Sequence, residues 1–140
     1  MLDKSFIEEK LKNIKEYLLE VEEILKADKK EIIGDFRLLK SLERNFQLIV
    51  DEMMDINIHF IRELDLSTPD DFQSSFEILA KGKIMPSKFA FQIAPVVGLR
   101  NLLVHRYEKI DKEVFVRQVK KEFTDFIKYI KYINDYLKTV

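Results

Sequence analysis

Arg100 and His105 fall within one short stretch with Asn101 and Tyr107. Arginine with histidine is a pairing that suits phosphodiester chemistry, although one of each on a helix is often no more than an ion pair and a surface cap. Histidine has the only unperturbed side-chain pKa near neutrality, so it can take a proton from a ribose 2′-hydroxyl or return one to a leaving oxygen. Arginine presents a fork of donors to the charge that builds on phosphate oxygens in a transition state. Together they suit attack at a phosphodiester without a metal. The rest of the composition narrows the alternatives. With no Cys and two His there is no thiolate zinc site, cysteine nucleophile or histidine cluster. No metal and no cofactor is expected.

These residues need an element to hold them. On a helix, Asn101 and His105 are spaced i, i+4 and share a face, as do Arg100 and Tyr107 at i, i+7. Arg100 and His105 then stand about 140° apart and flank a crevice, at roughly 100° per residue. The apolar register Phe89, Ile93, Val96, Arg100, Leu103, Tyr107 places Arg100 on a seam. An unpaired buried guanidinium is very costly. Either a carboxylate pairs with it, or the seam opens onto a cleft or subunit boundary where the charge has a use. Pro95 lies inside this helix and is expected to kink it.

The surrounding pattern is helical throughout. Three stripes with strict 4-3 spacing mark long amphipathic helices: Ile7 to Leu25, Leu42 to Phe60 and Val119 to Leu137. Gly and Pro number three each among 140 residues, roughly a third of the usual share of about 12%, too few for a β-sandwich or barrel. Gly34 and Asp35 suit a helix stop and the next start. Thr68-Pro69-Asp70-Asp71 reads as the capped opening of a short helix through Phe72, Phe76 and Leu79, which stops at Gly82. Asp111 is a cap for the last helix. The expectation is an all-α, single-domain antiparallel bundle of about five helices over residues 1–140.

The net charge of −1 hides a split. Residues 1–80 carry 19 acidic and 11 basic side chains (−8), and residues 81–140 carry 6 and 13 (+7). The basic half could face a polyanion, or the two halves could pair inside the fold or across a dimer. No signal-peptide pattern or apolar run of about 18 residues is present, so a soluble, cytoplasmic protein without membrane association is expected. His59 reads as structural. Asp51, Glu52 and Asp55 read as a solvated stripe rather than a metal set. Tyr129, Tyr132 and Tyr136, interleaved with lysines, read as packing in preference to an RNA-stacking surface.

Gly98-Leu-Arg-Asn-Leu-Leu-Val-His-Arg-Tyr107 resembles the Arg-Asn-x3-His signature of the HEPN superfamily, and in its longer form, Arg-x4-His-x-Tyr, the HepT-like toxins. Similar segments occur at Asp55-Ile-Asn-Ile-His59, Thr68-Pro69, Phe76-Glu-Ile-Leu79 and Ile110-Asp111, so the resemblance runs from about Glu43 to Leu137. It implies a homodimer with the motif helices facing each other, and metal-independent endoribonuclease activity in a toxin–antitoxin pair. By the same resemblance Arg100 and His105 are catalytic, and Asn101 is a supporting polar residue. Tyr107 would be the tyrosine that a cognate minimal nucleotidyltransferase antitoxin modifies with AMP. The other reading is a non-catalytic helical dimer that binds a nucleotide or a nucleotidyltransferase partner.

Overall fold

The computed structural model describes residues 1–140 and contains seven α-helices and one 3₁₀ turn. The helices are α1 (Lys4–Ile24), α2 (Lys29–Gly34), α3 (Phe36–Glu63), α4 (Ser75–Lys81), α5 (Ser87–Ile93), α6 (Val96–His105) and α7 (Lys112–Leu137). The all-α expectation holds. All five expected helices are present, and the larger number of segments comes from two places. The connection at 28–34 coils into α2, capped by the Asp28 carboxylate and anchored by buried Ile32. The expected fourth helix is divided at Pro95.

The three long stripes form α1, α3 and α7. Their N-termini are capped by Asp3, Asp35 and Asp111, whose carboxylates accept from the backbone N–H of Phe6, Arg37 and Val114 at 3.0, 2.9 and 3.1 Å. Such caps satisfy donors that have no partner within the helix. α3 is the central rod and packs against α1, α4 and α6. Against α7 the contact is aromatic: Phe46 meets Phe115 edge-on and Phe126 at a tilt, and Phe60 meets Tyr136 edge-on. One contiguous core of 35 buried apolar residues results.

The last-helix tyrosines pack, as expected. Tyr129 is fully buried, Tyr132 lies against Phe89 and Tyr136 against Phe60. Tyr129 also starts a buried polar chain. Its hydroxyl donates to Asn57 Oδ1 at 2.7 Å, and Asn57 Nδ2 donates to Ser75 Oγ at 3.0 Å. Ser75 Oγ in turn donates to the Phe72 carbonyl. This chain ties α7, α3 and the start of α4 together, and its burial requires that each member be satisfied.

Two local expectations are corrected. Thr68 and Pro69 do not open α4, which begins at Ser75. Asp65 adopts a left-handed φ of 53° after α3, and the chain then runs irregularly to a turn in which Asp71 Oδ1 accepts from Ser74 N at 2.7 Å. Of the polar residues that suggested a helix cap, Asp71 builds this turn instead, leaving Phe72 outside the helix and 45% exposed. Gly82 ends α4 as expected. Pro95 breaks the fourth helix rather than kinking it, with Ala94 closing α5 and Pro95 serving as the N-terminal flank of α6. Proline has no N–H for the bond back to residue i−4, and its ring crowds that carbonyl.

Candidate active site

α6 is shallowly seated. Only Val96 and Val97 are buried within it, while Asn101, Val104 and His105 are exposed. Its outer face is therefore open along the side that carries Asn101 and His105, spaced one turn apart. Gly98 lies on the same side. A Cβ built there would meet nothing nearer than Gln73 Oε1 at 4.0 Å, so packing within this chain does not require glycine.

Arg100 lies between this face and α3. Its Nε donates to Asp51 Oδ1 at 2.7 Å and its Nη1 to Asn101 Oδ1 at 3.1 Å. The side chains of Arg100 and Asp51 are 19% and 30% exposed, so the pair lies where α6 meets α3 at the surface rather than in the core. The two readings of the seam arginine thus meet in one arrangement. A guanidinium has five N–H donors. Asp51 and Asn101 engage two, which leaves three for an anionic ligand while the head group is held at a fixed angle.

Asp51 was grouped in the sequence with Glu52 and Asp55 as a solvated stripe, and the structure separates them. Lys10 of α1 bonds Asp55 at 2.9 Å and Glu52 at 3.4 Å, and Asn13 donates to Glu52 at 2.9 Å. The Lys10 ammonium is held above its ordinary range chiefly by the Asp55 bond. Two acids therefore fasten α1 to α3, and Asp51 alone of the three pairs with Arg100. His59 is nearly buried. Its Nε2 accepts from Asp3 N at 3.0 Å and its ring lies 4.8 Å from that of Phe6, so it anchors the start of α1.

Tyr107 does not continue the α6 face. Arg106, at φ −140° and ψ 49°, ends the helix, and Tyr107 opens the 3₁₀ turn Tyr107–Lys109. The i, i+7 relation to Arg100 is lost with the helix. Tyr107 turns to α3 instead, where its hydroxyl donates to Glu43 Oε2 at 2.8 Å and accepts from Lys40 Nζ at 2.7 Å. The same ammonium lies 4.0 Å from the ring centroid and 3.4 Å from Glu43 Oε1. The bond to the tyrosine oxygen, foremost among several causes, raises the Lys40 pKa above its ordinary value.

Glu43 and Lys40 escape a reading of the sequence because their partner lies more than sixty residues away. One signal was there to find. Glu43 shares a stripe with Val50, Met54, Asn57 and Ile61, all buried, and a carboxylate on such a stripe requires a partner.

A family model for ribonuclease HepT-like proteins matches residues 14–133. The chain belongs to the HepT-like ribonuclease family. Among HepT relatives, the tRNA nuclease HepT of Aphanizomenon flos-aquae is 31% identical over 134 residues, 96% of this chain and 91% of that protein. The mRNA nuclease HepT of Shewanella oneidensis is 28% identical, covering 89% and 93%. A solved structure of the tri-AMPylated Shewanella oneidensis HEPN toxin, in complex with an MNT antitoxin, superposes with a TM-score of 0.86 at 26% identity. That match covers 95% of this chain and 99% of the toxin. The HepT-like helical fold therefore extends over nearly the whole length.

Proposed function

We propose that this chain is the toxin of a HEPN/MNT toxin–antitoxin pair, a metal-independent endoribonuclease that a nucleotidyltransferase antitoxin silences by adding AMP to Tyr107. The observation that carries the reading is Arg100, fastened to Asp51 with three donors free, on the helix that ends at exposed His105. A scissile phosphate held by those donors has its growing negative charge stabilised without a metal. His105 takes the proton of the ribose 2′-hydroxyl, whose oxygen attacks the phosphorus. The 5′-oxygen leaves with a proton, and the product end is a 2′,3′-cyclic phosphate. Asn101 supports the guanidinium and lines the same face.

A dimer supplies the second proton-transfer group. The open face of α6, with Gly98, Asn101 and His105, fits against its copy across a two-fold axis and brings two histidines to one cleft. No helix is long and apolar enough to cross a membrane, and a cytoplasmic setting provides RNA and ATP together. Purified protein incubated with RNA in EDTA tests the assignment. The wild type should cleave, and Arg100→Ala and His105→Ala should each lose at least about a hundredfold in rate. Cleavage by His105→Ala at the wild-type rate overturns it.

A further inference from the structure

The environment of Tyr107 is more than a latch. A carboxylate and an ammonium from one turn of α3 converge on its hydroxyl, the proton aimed at Glu43 and the oxygen receiving Lys40. The Glu43 side chain is only 8% exposed, whereas Lys40 is 58% exposed. Burying a carboxylate is costly, and a neutral glutamine could accept the same hydrogen bond to fasten the turn. Glutamate also pairs with the Lys40 ammonium, and unlike glutamine it can take the proton.

We propose that Glu43 is the base and Lys40 the phosphate-binding cation for nucleotidyl transfer to Tyr107, so that this chain supplies part of the machinery for its own modification. The inference rests on the assignment of Tyr107 as the acceptor. The second substrate is a nucleoside triphosphate, ATP, brought by the antitoxin nucleotidyltransferase. The Tyr107 oxygen attacks the α-phosphorus, the phenolic O–H bond breaks and its proton passes to Glu43. The new O–P bond replaces the bond to the β-phosphate, and pyrophosphate leaves with that electron pair. Lys40 swings from the tyrosine oxygen to the α-phosphate oxygens, freeing the lone pair that attacks and countering the charge that develops.

The test uses the full chain, its cognate nucleotidyltransferase and ATP radiolabelled at the α-phosphate. Wild-type chain should take up label and Tyr107→Phe should not; equal labelling of the two would overturn the acceptor assignment itself, separately from the roles of its neighbours. With the acceptor established, Glu43→Gln should lower the transfer rate at saturating nucleotidyltransferase at least tenfold, with KM for the chain within twofold of wild type. Glu43→Ala leaves room for a small carboxylate, and added formate should restore its rate severalfold. Lys40→Gln, at an exposed position that folding tolerates, should slow transfer severalfold. Labelling of Glu43→Gln as fast as wild type, absence of rescue by formate, or an unslowed Lys40→Gln chain overturns the proposal.

Discussion

At the residue scale the candidate site is defined by what holds Arg100. Asp51 fixes the guanidinium from α3 through Nε and leaves the outer donors to a ligand. Asp51→Asn keeps the size of the side chain and removes the charge that orients its partner. Single-turnover RNA cleavage by this variant should fall roughly tenfold, because small errors in placement weigh heavily on rate, while the thermal midpoint should move little. The motif residues were legible in the sequence because they are local: Arg100, Asn101 and His105 lie within two turns of one helix. Their partners were not. Asp51 looked no different from Glu52 or Asp55, and only the docking of α6 on α3 and of α1 beside it sorts the three acids.

At the element scale, 4-3 spacing specified α1, α3 and α7, because long helices bury a stripe that their own sequence displays. Asp35 and Asp111 marked two of the three starts, while the Asp3 cap of α1 went unread. Short elements are decided by contacts from elsewhere. The start of α4 answers to the Tyr129–Asn57–Ser75 chain rather than to the Thr68-Pro69 pair. α7 also carries a titrating position. Glu122 is pushed up to about 7, first by burial, then by the charge of Asp125 and by a hydrogen bond to it. Asp125 itself accepts from Gln92 of α5 at 2.9 Å. A folded-state pKa above the unfolded value means that the stability gained from neutral Glu122 is complete at pH below about 4.5 and lost as pH rises through about 7. Glu122→Gln should accordingly be more stable than the wild type at pH 8, by about 2–3 kcal/mol, and match it near pH 4.5. Urea unfolding at the two pH values checks this.

At the scale of the whole molecule, the charge split and the open face of α6 describe the same asymmetry. The motif lies in the basic half, and α3, which supplies Asp51 and Glu43, lies in the acidic half. Gly98 tests the dimer. A Cβ at Gly98 has room in the protomer, and Gly98→Leu on this open face should raise helix stability by about 0.5–1 kcal/mol. Across a two-fold contact the same side chain should force the subunits apart, which sedimentation velocity would show as a monomer of unchanged or improved thermal stability. A variant that remains dimeric would place the interface elsewhere. α6 can also be seen as a ten-residue lever, hinged at the Pro95 break and tied down at its other end by the Tyr107 hydroxyl. An adenylate ester on that oxygen has no proton to give Glu43, and it sets a phosphate charge against a buried carboxylate. Silencing would then untie the free end of the lever that bears His105, and backbone amides of residues 105–110 should exchange hydrogen faster in the modified protein.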